Sequence, residues 1–403
     1  DVYKRQSLGF TGNMDTYKPA EGSATRSDIA ITDPDFKYPS LWKSNIAADY
    51  KFGDGWVATI ELLYSKDINA IYHDNIGLYR TEQFVNDGGA GNARPYYNGY
   101  YSDREGNQKA ANHVVMLRNT SKGHSLYTTF QLQKNFVDGI LKGLYLNGSY
   151  SFGQSRGVTD GTSSVATSAW KYRAALDGNA EEVGYTAGSF DGRLLLSASY
   201  TANWSKYAAT SFGLIYQRYR PFRYSYCYNG DANGDSQFSN DLMYIPANFD
   251  EVKDHLLPGD FDSQEDAWKA MNAFIEQDPY LSKHRGEYAE RNGAVAPFAN
   301  QLDLSVSHDI KIYQKNGRSH TLRFSFNIAN FLNLLNRNWG VVQTTVLGNQ
   351  QYQFLTIPKG QGPSAANNYT LKYTMAKDLD ETFKDNLNDV SRWQMQFGIK
   401  YIF

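Results

Sequence analysis

An all-β fold, a transmembrane antiparallel β-barrel, is predicted by three features of this 403-residue chain. The first is the strict alternation of apolar and polar residues in its last strand. The second is an aromatic content of 15%, supplied by 31 Tyr, 22 Phe and 7 Trp. The third is the way that short turns alternate with long polar connections along the chain.

The terminal strand alternates by residue number. Its odd positions are apolar or aromatic: Trp393, Met395, Phe397, Ile399, Tyr401 and Phe403. The even positions from Arg392 to Lys400 are polar or glycine. Successive side chains of a strand point to opposite faces, and in an outer-membrane barrel the outer face contacts lipid while the inner face contacts a wet lumen. We therefore expect the six odd residues to form the membrane-insertion signal that the barrel assembly machinery reads.

Composition and charge narrow the class of protein further. Abundant Tyr and Trp are typical of the girdles that meet lipid interfaces. A net charge of −2 with dispersed basic residues lacks the footprint of a nucleic-acid-binding protein. No run approaches the 18 apolar residues of a spanning helix, which excludes helical membrane topology. The lone Cys227 excludes an internal disulfide and any site with several cysteine ligands.

About twelve strands with lengths suited to a tilted membrane crossing are predicted along the chain. They include 44–52, 56–70, 113–135, 141–155, 193–204, 207–220, 300–313 and 319–330, weaker candidates near 340–357 and 369–375, and the terminal strand. One strand is expected to run through Gly123 without turning, because an extra reversal there would swap the membrane sides of every later loop. Short turns and long loops then fall on opposite sides, as in outer-membrane barrels.

The largest connection, 221–298, is predicted to be an extracellular loop insertion containing one helix. Ser263 is the expected N-cap, and the apolar residues that follow lie at helical spacing on one face. They are Ala267, Met271, Phe274 and Ile275. Packing of this helix within the loop is favoured over a direct ligand contact.

Two groups of loop residues are candidates for binding a ligand. They are Tyr96, Tyr97, Tyr100 and Tyr101, and Arg223, Tyr224, Tyr226 and Tyr228. Tyrosine supplies a rigid contact surface with a hydroxyl group, which suits the recognition of glycans or peptides. The alternative is that these side chains belong to an ordinary interfacial girdle.

A calcium site is a candidate within residues 231–241. Asp231, Asn233, Asp235 and Asp241 supply oxygens at alternating positions near Gly234, as at the start of a calcium loop. The bidentate glutamate of an EF-hand is absent, so the alternative is an Asx-rich turn that bonds its own backbone. No other cofactor is expected.

An enzymatic function is not expected. The seven histidines show no metal-ligand spacing such as i, i+4, and serine, histidine and aspartate occur in no recognisable nucleophile motif. A lipase or protease barrel would need a serine and a histidine that meet at one rim.

Several segments together carry a family resemblance. They are Tyr-Asn-Gly-Asp-Ala-Asn-Gly-Asp at 228–235, Asn-Asp-Leu-Met-Tyr-Ile-Pro at 240–246, Arg-Asn-Gly at 291–293, Asn-Phe-Leu-Asn-Leu-Leu-Asn at 330–336 and Ser-Arg-Trp at 391–393. As a set they resemble the Oar-like branch of the TonB-dependent outer-membrane receptors. The resemblance covers most of the chain from about residue 44.

The resemblance implies the C-terminal part of a 22-stranded barrel, with the plug and the TonB-coupling motif upstream of residue 1. It implies energised uptake of a small-molecule, glycan or peptide ligand across the outer membrane of a Gram-negative bacterium. The alternative is a passive porin-like or structural outer-membrane barrel. Since part of a barrel has two unpaired edges, we expect that the chain alone does not insert stably.

Overall fold

The all-β prediction is confirmed at the level of secondary structure. The computed structural model describes residues 28–85, 94–100, 113–161, 163–313, 319–347, 351–364, 368–375 and 381–403, and strands account for 51% of it. The strands are β1 (Ile29–Thr32), β2 (Leu41–Phe52), β3 (Trp56–Asp67), β4 (Ala70–Asn75), β5 (Leu78–Val85), β6 (Arg94–Tyr100), β7 (Val114–Thr120), β8 (His124–Asn135), β9 (Leu144–Gly157), β10 (Gly184–Tyr185), β11 (Arg193–Ser205), β12 (Ala208–Tyr219), β13 (Arg223–Tyr226), β14 (Tyr244–Ile245), β15 (Leu256–Leu257), β16 (Glu287–Tyr288), β17 (Ala294–Val295), β18 (Ala299–Tyr313), β19 (Ser319–Ala329), β20 (Gln343–Thr345), β21 (Gln351–Tyr352), β22 (Leu355–Thr356), β23 (Leu371–Tyr373), β24 (Phe383–Asp385) and β25 (Gln394–Ile402). The α-helices are α1 (Ala166–Lys171), α2 (Gln264–Gln277) and α3 (Phe331–Leu335).

None of the helices within these described ranges is long and apolar enough to cross a membrane.

Nine long strands form the principal sheet, in the order β2-β3-β8-β9-β11-β12-β18-β19-β25, with the short β10 paired to β9. Their lengths run from 9 residues in β25 to 15 in β18. Neighbours along this order are antiparallel. In the described part of the chain β2 and β25 each pair on one side only, so the sheet is open and no closed barrel is seen.

The described residues contain nine long strands in the principal sheet, fewer than the twelve or so expected for the chain. The weaker candidates at 340–357 and 369–375 contain only β20 to β23, each of two or three residues, and these pair outside the principal sheet. Tyr352, Phe354 and Leu355 are fully buried. Side chains at successive positions are therefore buried, and these residues do not form a two-faced strand.

The predicted strand at 113–135 is interrupted, but its direction is as predicted. β7 pairs with β4 and β8 pairs with β3, both antiparallel, so the chain continues through 121–123 without reversing. At the break Gly123 accepts a hydrogen bond from the Asp67 amide at 2.9 Å. A β-carbon at residue 123 would lie 1.8 Å from the Asp67 carboxylate, so a larger residue there would require the Asp67 side chain to move.

The connections sort as predicted. Short turns at 53–55, 136–143 and 206–207 lie at one end of the sheet, which we call the short-turn end. The long connections 68–123, 158–192, 220–298 and 330–393 lie at the other end. We call the described residues of these four connections the loop domain.

The loop domain has a hydrophobic core of its own, in which α2 takes part as predicted. Ser263 caps α2, its Oγ accepting a hydrogen bond from the Asp266 amide at 3.1 Å. The apolar face of α2 is buried at Ala267, Met271, Phe274 and Ile275. It packs against residues from the third and fourth connections, so 221–298 is part of a packed body rather than an open loop.

A pair of substitutions on α2 tests this packing. The Phe274 ring lies 5.0 Å from that of Phe354 and is 1% exposed. We expect Phe274→Ala to lower the free energy of unfolding by about 3–5 kcal/mol, because it leaves a cavity in the core. The matched change Glu276→Ala, on the exposed face of the same helix, is expected to alter it by less than about 0.5 kcal/mol. Urea denaturation followed by near-UV circular dichroism measures both, and equal losses would contradict the burial of this face.

Candidate functional site

The principal sheet has one continuous apolar face, which is the candidate functional surface. The register places apolar residues side by side across neighbouring strands; one such row consists of Tyr200, Phe212, Val306, Phe326 and Phe397. Of these, Phe212, Phe326 and Phe397 are 37–66% exposed. In the first half of the sheet, Ile46 and Leu62 are paired neighbours and are 70% and 38% exposed. The apolar face therefore extends from β2 to β25.

The opposite face of the sheet, formed by the residues that alternate with those of the apolar face, is mostly polar. The row next to the one above consists of Thr201, Ser211, Ser307, Ser325 and Gly398. Side chains on this face bond to their neighbours across the strands: Gln131 donates to Asn147 at 2.7 Å, and Gln217 donates to Gln301 at 3.0 Å. The sheet is thus largely amphipathic, with cross-strand hydrogen bonds on one side and exposed apolar groups on the other, although Leu63 and Ile215, 37% and 48% exposed, lie on the polar side.

The terminal strand follows its predicted alternation. Met395, Phe397, Ile399 and Tyr401 pair with Ile328, Phe326, Phe324 and Leu322 of β19, which places all of them on the apolar face. The four β25 residues are 47–66% exposed. Trp393 lies just before the strand and Phe403 just after it. Their role as an insertion signal remains a prediction.

Exposed aromatic residues gather at the short-turn end. Tyr50, Phe52, Trp204 and Tyr207 are 40–70% exposed. The Tyr50 and Phe52 rings stack at 5.9 Å, and the Phe52 ring stacks on Trp56 at 6.2 Å.

The candidate tyrosines in and just after β13 lie in the core of the loop domain and not on an accessible surface. Tyr224, Tyr226 and Tyr228 are 0–1% exposed. The Tyr226 hydroxyl donates to Asp278 at 2.6 Å, and the Tyr369 hydroxyl donates to that of Tyr228 at 3.1 Å. The expectation of an accessible binding rim is therefore wrong for these residues, whose rings fill a core that satisfies their hydroxyl groups.

The other candidate residues are also held within the structure. Tyr96 and Tyr97 are 7% and 2% exposed, and the Tyr97 hydroxyl donates to Asp177 at 2.7 Å. Arg223 is 6% exposed and donates to the carbonyl oxygens of Ser189 and Asn292 at 2.8 and 3.0 Å.

The last two members of the first group differ from these. The hydroxyl of Tyr100, a half-buried residue, lies 3.0 Å from Nδ1 of His113. Tyr101 lies outside the described residues.

The acidic segment forms a turn that bonds its own backbone. Asp231 accepts hydrogen bonds from the amides of Gly234 and Ser236 at 2.6 and 2.8 Å. Asn233 accepts one from the Asp235 amide at 2.9 Å, and Asp241 accepts one from the Ala232 amide at 2.7 Å. In the part of the chain that the structure describes, no group of acidic, histidine or cysteine side chains has the arrangement of a metal site. Calcium binding by these four residues stays a prediction.

Three buried carboxyl groups nevertheless lie near one another in this turn. Burial, together with the charge of Asp231, raises the pKa of Asp235 to about 7. Burial likewise raises the pKa of Asp231 and of Asp241. Arg94, which is fully buried, partly offsets this at Asp241, where its Nη1 lies 3.4 Å from Oδ1. Sequence reasoning missed Arg94, because its partner is 147 residues away and no local pattern marks it.

Comparison with protein-family models, with curated proteins and with solved structures gave no match.

The raised pKa of Asp235 predicts how stability changes with pH. Because the folded pKa of about 7 lies above the usual value of 3.8, the native state binds more protons than the unfolded state between these values. Stability therefore falls as pH rises through this window. We expect Asp235→Asn, which keeps an acceptor oxygen, to reduce the stability loss between pH 5 and 8 by more than about 1.4 kcal/mol. The exposed control Asp254→Asn should leave the pH profile of chemical denaturation unchanged, and identical profiles for both variants would contradict the assignment.

The same assay at pH 8 tests the calcium prediction. Calcium that binds only the folded state at a hundred times its Kd stabilises a protein by about 2.7 kcal/mol. Calcium at the Asp231–Asp241 turn should stabilise the unsubstituted chain and have little effect on Asp235→Asn. Equal responses of the two proteins would place calcium elsewhere, and no response would exclude the site.

Proposed function

We propose that this chain is the barrel portion of an outer-membrane receptor of the TonB-dependent type, which takes up a ligand. The observation that carries the proposal is the apolar face, exposed across nine neighbouring strands. Leaving apolar surface in water costs about 25 cal/mol per Å². A lipid environment removes that cost, while the polar face suits a wet lumen.

The same proposal gives the chain an orientation. Outer-membrane barrels have short periplasmic turns and long extracellular loops. The loop domain then lies outside the cell, and the short-turn end, with Tyr50, Phe52 and Trp204, meets the periplasmic interface. The exposed apolar residues of β25 then face lipid up to that interface, which supports recognition of β25 by the assembly machinery.

Two observations favour a receptor over a passive channel. The motif segments at 228–235 and 240–246 bond to each other in the loop domain, where the Tyr228 amide donates to the Asp241 carbonyl at 2.9 Å, and Asn292 of the segment at 291–293 donates to Asp160 at 2.9 Å. The loop domain also reaches onto the polar face, where the Phe190 ring stacks on Tyr127 at 4.6 Å. A folded loop domain that extends over the polar face suits selective uptake of a ligand better than free diffusion. The proposal that uptake depends on TonB rests on the resemblance of the motif segments to TonB-dependent receptors.

Cysteine labelling at two adjacent residues tests the membrane assignment. Ser211 and Phe212 lie on opposite faces of β12. In a Cys227→Ala background, Ser211→Cys and Phe212→Cys of the chain refolded in detergent micelles are exposed to a small, water-soluble, charged thiosulfonate. The thiolate is the reactive form, and hydrocarbon suppresses it. We expect position 211 to react at least about tenfold faster than position 212.

The opposite order is the result for a sheet in water. Phe212 is 42% exposed, whereas Ser211 is half-buried. Faster reaction at position 212 would therefore overturn the membrane assignment. Protection of both positions would contradict a water-filled lumen.

A further inference from the structure

The loop domain encloses a cavity of about 490 Å³ that none of the predicted binding residues anticipates. This volume lies in the range of small-molecule sites. Its walls come from three of the four long connections, and its polar lining includes Thr159, Asp160, Ser239, Gln351 and Gln353. The floor includes two arginines, Arg173 and Arg291.

Both arginines are buried, and their guanidinium groups converge. They are 6% and 4% exposed. Nη1 of each donates to the carbonyl oxygen of Val158, from Arg173 at 3.3 Å. Their other hydrogen bonds also go to backbone carbonyls: Arg173 donates to Gly178 and, at 3.1 Å, to Ala180, and Arg291 donates to Gly157 and, at 3.4 Å, to Gly184. Within the part of the chain that the structure describes, Nε of each arginine is buried and has no hydrogen-bond partner.

The described residues supply no carboxylate in direct contact with either guanidinium. The acids whose charges act on the two guanidinium groups are Asp160, Glu182, Asp177 and Asp74. Of these, Asp177 pairs with Arg80 and Asp74 with Arg118. Asp160 is held by Asn292 Nδ2 and by the Ala187 amide, both at 2.9 Å, and Glu182 accepts from the Leu176 amide at 2.8 Å. Buried charges in proteins are normally paired, because removing them from water is costly. Two adjacent cations bonded only to carbonyl oxygens therefore leave room for an anionic partner.

The surroundings of the arginines select the kind of anion. Burial and the charge of Arg291 lower the pKa of Arg173 to about 10, so it stays protonated at neutral pH. Asp160 and Glu182 would repel a doubly charged group more than a singly charged one. The planar fork of arginine matches a carboxylate. A monoanionic carboxylate therefore fits better than a phosphate.

Two exposed aromatic rings also line the cavity. Tyr172 and Phe238 are 65% and 66% exposed. Rings that stay open to solvent beside a polar cavity offer flat surfaces on which an organic ligand can stack. The ligand expected here is thus an organic molecule with a carboxylate at one end.

We propose that this cavity is the ligand site of the loop domain, and that it binds a carboxylate-bearing organic ligand through Arg173 and Arg291. The carboxylate belongs either to an acidic sugar or to a peptide C-terminus. Calling this ligand the transported substrate rests on the proposed receptor function; the binding itself does not.

Fluorine NMR titrations of the full chain, refolded in detergent micelles, test the site with 4-fluorobenzoate and its neutral counterpart 4-fluorobenzamide. We expect the acid to bind at least about tenfold tighter, since only it pairs with the guanidinium groups. Because the arginines also hold backbone carbonyls, the substitutions are made on a different lining residue. Ser239→Asp places a competing carboxylate in the cavity and should weaken binding of the acid about tenfold or more.

Ser236→Asp is the matched control. Both serines have positive φ, of 65° and 80° for Ser236 and Ser239, but Ser236 is exposed and does not line the cavity. Its variant should bind the acid as the unsubstituted chain does. Equal binding of acid and amide, no binding of the acid, or equal losses in the two serine variants would each overturn the proposal.

Competition experiments then separate the two sources of the carboxylate. Displacement of 4-fluorobenzoate by trigalacturonate supports an acidic sugar, and displacement by N-acetyl-triglycine supports a peptide. Failure of both to displace it would overturn the assignment of these two ligand classes. The labelling order at residues 211 and 212 is read independently, so loss of the membrane assignment and loss of the cavity site are distinguishable.

Discussion

Pairing of the backbone across nine antiparallel strands is the constraint on which the rest of this structure depends. Because side chains alternate and the register is regular, apart from a shift between Asn203 and Ser205 where β11 pairs with β12, residues of one parity line up from strand to strand, as Tyr200, Phe212 and Val306 do. A shift of one residue in any strand would exchange its two faces. Residues of the serine-rich row that contains Ser211 would then lie on the apolar face, in place of residues such as Phe212. Both the uncovered apolar face and the internally bonded polar face follow from this single register.

The sequence could predict what depends on near neighbours in the chain. Alternation from Trp393 to Phe403 places β25 correctly, and the capping serine with its spaced apolar residues places α2. Counting reversals showed that the chain passes Gly123 without turning, although it could not show the break there. The placement of short turns and long loops at opposite ends could be predicted because turn glycines, such as Gly53 and Gly55, and long polar segments mark these connections in the sequence. These are local properties, and local properties are what a single sequence states plainly.

The loop domain could not be predicted in the same way, because distant residues form it. The alternating tyrosines of β13 suggest one exposed face, yet all four residues of that strand are buried. Their neighbours include Phe383, whose ring lies 5.9 Å from that of Tyr224. The carbonyl oxygen of Val158 likewise receives Arg291 from 133 residues away. The spacing of residues in the sequence does not reveal contacts between such distant segments. The candidate tyrosines of 224–228 therefore proved to be core residues, and the cavity was not predicted.

The edges of the sheet limit how it can be completed. Nine strands in strict alternation leave β2 and β25 running in the same direction. Joining these edges to each other would create a parallel seam. If two copies lay side by side with their loop domains at the same end, β25 of each copy would pair with β2 of the other. Both of these seams would be parallel. An all-antiparallel closure therefore needs an odd number of strands between β25 and β2. Side-by-side association of copies of this sheet is therefore excluded as a route to an all-antiparallel closure.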